Sequence, residues 1–105
     1  MWLSQAEELI RTHFLDSLDL DAIGGRIGVT ALRLARRFRE HYGVSPATYV
    51  RQLRIEWAAD QLAAGSGSIS EIALAAGFAD QSHFTREFKR QAGLPPGRYR
   101  QARRG

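Results

Sequence analysis

The sequence contains no cysteine, so disulfides, zinc–thiolate sites and thiol chemistry are excluded, and nothing in it points to an oxidising compartment. Lysine is almost absent. Lys89 is the one lysine, and every other basic residue is arginine. Acids thin out toward the end of the chain, where Glu87 is the last of them. No stretch approaches the ~18 consecutive apolar residues of a membrane span, and the N-terminus lacks a basic segment followed by a short apolar run. These absences predict a soluble, unprocessed chain in a reducing cytoplasm. At 105 residues there is room for one compact domain and not for two ordinary ones.

What is present is basic and apolar. Fifteen Lys+Arg against 11 Asp+Glu give a net charge of +4 and a pI near 10.3, while 44% hydrophobic residues suffice for a core. The planar fork of arginine suits phosphate oxygens and guanine edges, although a G·C-rich genome also enriches a protein in arginine. Glu7, Glu8, Asp16, Asp19, Asp21 and Glu40 crowd the first half. An anion-binding face is therefore expected to draw more on the second half.

Aligned with itself, the chain shows an internal repeat. Ile23-Gly24-Gly25-Arg26-Ile27-Gly28-Val29 aligns with Ile72-Ala73-Leu74-Ala75-Ala76-Gly77-Phe78. One residue is then added in the second copy. The match resumes with Leu34, Arg36 and Phe38 on Phe84, Arg86 and Phe88, and continues with Gly43-Val44-Ser45-Pro46 and Tyr49 on Gly93-Leu94-Pro95-Pro96 and Tyr99.

Each copy reads as a short helix, a glycine turn and a longer helix. In the second, Ser70 is the expected N-cap, Ile72, Ala73 and Ala76 form an apolar stripe, and Gly77 supplies the left-handed residue that ends the helix. Asp80 then caps a helix to about residue 91, with Phe84 and Phe88 on its inner side. In the first, Gly24 and Gly25 lie inside a helix of about residues 20–27, each at a cost of roughly 0.5–1 kcal/mol relative to alanine, which predicts a more mobile half. Thr30 caps the helix that follows, where Leu34, Phe38 and Tyr42 make a core stripe and Arg33, Arg36, Arg37 and Arg39 take the other sides.

Between the copies Ser45 and Pro46 open a helix that runs to about Ala64, with Val50, Leu53, Trp57 and Leu62 at helical spacing and Gly65-Ser66-Gly67-Ser68 as a flexible stop. Some 18–20 helical residues span roughly 27–30 Å, near the ~34 Å between successive major grooves on one face of B-DNA. Trp2, Leu3, Leu9, Ile10 and Phe14 predict an N-terminal amphipathic helix over the first unit. Pro95 or Pro96 starts a last helix that contains Tyr99, with Arg100, Arg103, Arg104 and Gly105 expected to fray.

The stretch from about Leu20 to Arg100 resembles the AraC/XylS DNA-binding domain. The likeness is carried by Ile72-Ala73-Leu74-Ala75-Ala76-Gly77-Phe78-Ala79-Asp80-Gln81-Ser82-His83-Phe84-Thr85-Arg86-Glu87-Phe88-Lys89 and by Gly93-Leu94-Pro95-Pro96-Gly97-Arg98-Tyr99-Arg100. The resemblance implies an all-α, homeodomain-like fold of about seven helices. Two helix-turn-helix subdomains, about 1–44 and 66–105, would be joined by a linker helix of about 45–65 within a single DNA-binding domain. It further implies an activator or repressor of transcription on asymmetric sites of double-stranded DNA, with RNA polymerase as a further partner, in the cytoplasm and on the nucleoid when bound. A sensing or dimerisation domain, common in the family, has no room here. The chain is then either a small stand-alone regulator or the C-terminal part of a larger protein, and the Met1-Trp2-Leu3 start leans toward the latter.

Carried over by position, the first recognition helix presents Ala31, Leu32, Ala35 and Arg36, and the second Gln81, Ser82, Thr85 and Arg86. Gly24 departs from the family, which generally has alanine there, and Ala31, Leu32 and Ala35 offer few polar groups for base readout. Arg36 and Arg86 are the arginines expected to read guanine bidentately, against the alternative of holding phosphate or a carboxylate such as Glu40. Gln81 would pair with adenine, or else stand in solvent. Arg33, Arg37, Lys89 and Arg90 are assigned to backbone phosphates, as is Thr85 if it does not face a base, against a plain solvated face. His83 has no serine, aspartate or second histidine at a catalytic spacing and is expected to pack or to meet backbone. Phe38, Phe84, Phe88, Trp57, Tyr49 and Tyr99 are assigned to the core rather than to a base-stacking platform.

No metal cluster, nucleophile–base pair or phosphate-binding glycine loop is visible, so neither an enzyme nor a cofactor is expected. A helical protein-interaction module without base readout is the competing function, motivated by the apolar Ala31, Leu32 and Ala35.

Overall fold

The computed structural model describes residues 1–16, 19–65 and 67–104, and among these it has seven helices and no strand. They form two compact units, Met1–Leu53 and Arg54–Gly105, with the boundary inside the longest helix.

The first unit holds α1 (Trp2–His13), α2 (Leu20–Ile27), α3 (Ala31–Tyr42) and the first residues of α4 (Pro46–Ala64). Leu3, Ala6 and Ile10 recur on one side of α1 and are buried against Ile23, Leu34, Phe38 and Leu53. Around them pack Trp2, Leu9, Phe14, Tyr42 and Tyr49. The helix starts of α3 and α4 follow the expected Thr30 and Ser45, and α2 adds a cap at Asp19 that was not among the expected ones. Asp19 accepts from the Asp21 N–H at 3.0 Å to open α2, Thr30 accepts from the Arg33 N–H at 3.1 Å to open α3, and Ser45 accepts from the Thr48 N–H at 3.2 Å to open α4.

The second unit holds the rest of α4 with α5 (Ile69–Ala75), α6 (Gln81–Ala92) and α7 (Pro96–Arg104). Its core joins Ile55, Ala58 and Leu62 of α4 to Ile72, Ala73 and Ala76, and to Phe78, Phe84 and Phe88. The aromatic rings step through it edge to face or tilted, with centroids 5.3 Å apart for Phe78–Phe84, 5.5 Å for Phe84–Phe88 and 5.2 Å for Phe88–Tyr99. Trp57 is only partly buried at its edge.

Two local expectations are corrected. The cap of α5 is Ser68, not Ser70: Ser68 accepts from the Glu71 N–H at 3.1 Å while Glu71 accepts from the Ser68 N–H at 2.8 Å. Only the serine three residues before a glutamate can make this reciprocal pair. Those hydrogen bonds hold the Glu71 carboxyl below its ordinary pKa. Arg100 does not fray. Its Nε donates to the Leu62 carbonyl at 3.2 Å, near the end of α4, where that oxygen also accepts from the Gly65 N–H at 3.1 Å. Gly105, and Ser66 in the stop after α4, lie outside the described residues.

The glycines inside α2 are not equivalent. Gly24 is buried, and its carbonyl accepts from both the Gly28 N–H at 2.7 Å and the Val29 N–H at 2.9 Å. A Cβ on Gly24 would stand 2.4 Å from the Val29 carbonyl oxygen. The aligned residue of the second copy, Ala73, is fully buried and accepts from the Phe78 N–H at 3.1 Å. There the turn is one residue longer and leaves space for a methyl group. Glycine at position 24 is therefore demanded by the shorter turn. A Cβ on Gly25, by contrast, would meet nothing within 4 Å, so that glycine only lowers helix propensity. In urea denaturation, Gly25→Ala is expected to raise stability by about 0.5–1 kcal/mol. Gly24→Ala, with the same gain in propensity, is expected to lower it by about 1–3 kcal/mol through overpacking. Equal effects of the two would contradict this assignment.

Candidate nucleic-acid interface

The inner sides of α3 and α6 are set by Leu34 and Phe38 in one unit and by Phe84 and Phe88 in the other, all with no exposed surface. With 3.6 residues per turn, this fixes which residues point out. On α3, Leu32, Arg33, Arg36 and Arg37 are exposed, and Ala31 and Ala35 are half-buried beside them. On α6, Gln81, Ser82, Arg86, Lys89 and Arg90 are exposed and Thr85 is half-buried. Within each helix the base candidates come together one turn apart, Leu32 with Arg36, Gln81 with Thr85, and Ser82 with Arg86.

The cations differ in what already holds them. Arg37 pairs with Glu40 at 3.2 Å on the helix surface, and the exposed Arg90 pairs with the largely buried Glu87 at 3.5 Å. These pairs occupy equivalent positions in the two copies with the signs exchanged. An exposed pair such as Arg37–Glu40 contributes ~0–1 kcal/mol, too little to keep Arg37 from a phosphate. Among the described residues, Arg36 and Arg86 have no ion-pair partner; Glu40, the alternative partner for Arg36, is engaged by Arg37. Arg33 lies over the Trp2 ring with its guanidinium carbon 5.8 Å from the centroid, which ties α3 to α1. His83 packs edge-on against Phe78 at 5.2 Å, and its N–H is the one capped by Asp80 at 2.8 Å.

Two supports were not read from the sequence. Arg54 of α4 lies against the turn of the second unit, its Nη1 3.4 Å from the Gly77 carbonyl, and a Cβ on Gly77 would stand 2.7 Å from that nitrogen. Gly77, at φ 90°, is needed for its left-handed backbone, whereas the Arg54 guanidinium, at the end of a flexible side chain, could move aside from a Cβ. In the first unit, the Glu7 carboxylate accepts from both the Tyr49 hydroxyl and the Arg11 Nε, and Arg11 lies over the Tyr49 ring at 5.8 Å from its centroid. Glu7 and Arg11 are an i,i+4 pair, but no local pattern marks the Arg54–Gly77 and Glu7–Tyr49 contacts, whose partners are far apart in sequence.

Each unit is a pair of helices joined by a glycine turn, the second presenting an arginine-bearing outer side: a helix-turn-helix. A family model described as a helix-turn-helix domain matches residues 23–102. The chain belongs to that family, in its AraC type, as the motif of residues 72–100 led us to expect. It is 33% identical over 94 residues to the HTH-type transcriptional activator RhaS of Escherichia fergusonii, an alignment that covers 90% of this chain and 34% of that protein. The chain therefore spans about a third of the length of the curated relatives it matches. Among solved structures, an AraC-type transcriptional regulator from Chromobacterium violaceum superimposes with a TM-score of 0.89 at 30% identity, covering 97% of this chain and 91% of the other. The DNA-binding domain of AdpA, solved in complex with a target DNA, superimposes with a TM-score of 0.86 at 26% identity, covering 97% and 92%.

The Glu7 clasp has a pH signature. Burial and then the hydrogen bond to Glu7 push the Tyr49 phenol up from 10.0 to about 12. The neutral phenol is favoured by folding, so its contribution is complete below pH 10.0 and is lost as the pH rises through about 12. The denaturation midpoint of the wild type should fall across that window, and that of Tyr49→Phe should fall less. An identical decline in both proteins would show that Tyr49 is not the titrating group.

Proposed function

We propose that the chain is a sequence-specific reader of double-stranded DNA that regulates transcription, with α3 and α6 as recognition helices in successive major grooves. The observation that carries this reading is the exposed Arg36 and Arg86, at equivalent positions of two similar units and without an ion-pair partner among the described residues. A guanidinium so placed can reach guanine O6 and N7 bidentately. In this reading Gln81, Ser82 and Thr85 read further bases beside Arg86, Leu32 adjoins Arg36, and Arg33, Arg37, Lys89 and Arg90 hold phosphates. Support comes from the relatives, which are named as transcriptional activators and regulators, and from AdpA, whose domain of similar fold was solved on a target DNA.

The same reading assigns no enzymatic step, cofactor or metal to the chain. None of its helices among the described residues is long and apolar enough to cross a membrane, and we place its action in the cytoplasm on nucleoid DNA. RNA polymerase is the partner through which an activator of this kind would act, and an effector-sensing or dimerisation domain would belong to the remainder of a longer protein. α4 is continuous over 19 residues and contributes to both units. A protein-interaction module remains the second reading because Leu32 is 70% exposed on α3. It would bind a partner that survives nuclease treatment and is indifferent to Arg86→Ala.

Selection from a random duplex pool tests the proposal. An asymmetric site should emerge, bound at least ~10³-fold more tightly than random duplex at ~150 mM salt; no enrichment over random sequence would overturn it. On the selected site, Arg36→Ala and Arg86→Ala should each weaken binding by about 5- to 150-fold, the equivalent of ~1–3 kcal/mol, and relax preference at one base pair. Lys89→Ala should instead weaken all sequences alike and flatten the salt slope by about one phosphate.

A further inference from the structure

The two recognition helices offer different chemistry at matching places. On α6 the residue one turn ahead of Arg86 is Ser82; on α3 the residue one turn ahead of Arg36 is Leu32. Serine can donate and accept a hydrogen bond, whereas leucine can do neither. Leu32 nevertheless stands 70% exposed, against no exposure at all for Leu34 two residues on. The exposed Arg36 lies one turn away on the same side of α3, so a partner that covers Leu32 and meets Arg36 combines an apolar group with an acceptor or anionic group. The major groove of DNA meets both demands at once: phosphates line its edges, and the 5-methyl of thymine is the one methyl group that a base presents there.

We propose that Leu32 is a specificity-determining residue of the first unit, which selects thymine through van der Waals contact with its 5-methyl group, next to a guanine taken by Arg36. This rests on the DNA-binding reading and makes it more specific. The contact removes apolar surface of both partners from water. A cytosine in the same place lacks the methyl, and its N4 amino group would lose water against leucine without gaining an acceptor. The half-site of α3 is thus defined by shape and one arginine, and that of α6 by hydrogen bonds.

The test uses the full chain and the duplex recovered by selection. Each thymine in the half-site assigned to the first unit is replaced in turn by deoxyuridine, which deletes the methyl and leaves every hydrogen-bonding group in place. At one or two positions the affinity should drop about fourfold, the equivalent of ~0.8 kcal/mol for one buried carbon group. Leu32→Ala should lose a similar factor on the thymine duplex and no longer respond to deoxyuridine, because the two changes remove the same contact. If deoxyuridine is silent throughout that half-site, or if Leu32→Ala responds to it as the wild type does, the proposal is overturned while DNA binding stands. Should selection enrich no duplex at all, both readings fall together.

Discussion

Both units depend on the burial of one side of the recognition helix. Leu34 and Phe38 on α3, and Phe84 and Phe88 on α6, leave no surface to solvent, and truncating any such side chain typically costs several kcal/mol. A helix pinned on that side cannot rotate without exposing those groups, so the opposite side is presented in one fixed orientation. Capping reinforces this. Thr30 and Asp80 each accept a backbone N–H in the first turn of their helix, and Gly43 and Gly93 close the other ends in the left-handed conformation. The exposed arginines are therefore held on a rigid element, and less freedom is lost when they meet a ligand than if they stood on a loop.

The copies have diverged where the core permits. A turn shorter by one residue brings the Val29 carbonyl onto the α-carbon of Gly24, and the second copy has room for Ala73. The ion pair Arg37–Glu40 recurs as Arg90–Glu87 with its signs exchanged, which preserves an ion pair while changing which position carries the positive charge. Leu32 aligns with Ser82 between the copies. Equal scaffolds thus carry unequal outer sides, the condition for reading an asymmetric site.

The helices, their order and most of their caps are legible in the sequence because they arise from local chemistry. Apolar residues three and four apart, Thr30, Asp80 and Ser45 before helical runs, and Gly28 and Gly77 after them all act within a few residues. Gly24 reads from propensity as a simple cost, since the residue it approaches comes from the next turn and is invisible to propensity. Ser70 looks as good a cap as Ser68 until the glutamate that completes the capping box is weighed. Arg100, expected to fray, is held by the Leu62 carbonyl, and the contacts Arg54–Gly77, Trp2–Arg33 and Glu7–Tyr49 join residues distant in the chain. Tertiary partners of this kind leave no periodic trace. The outer positions Arg36 and Arg86 are legible because the repeat marks them twice.

The central claim is that α3 and α6 both enter the major groove. Methylation protection at guanine N7, an atom exposed only in that groove, measures this most directly. The account predicts two clusters of protected guanines on the bound site, centred about one helical turn, ~10 base pairs, apart. Tight binding with no protected N7, or with a single protected cluster, would contradict it.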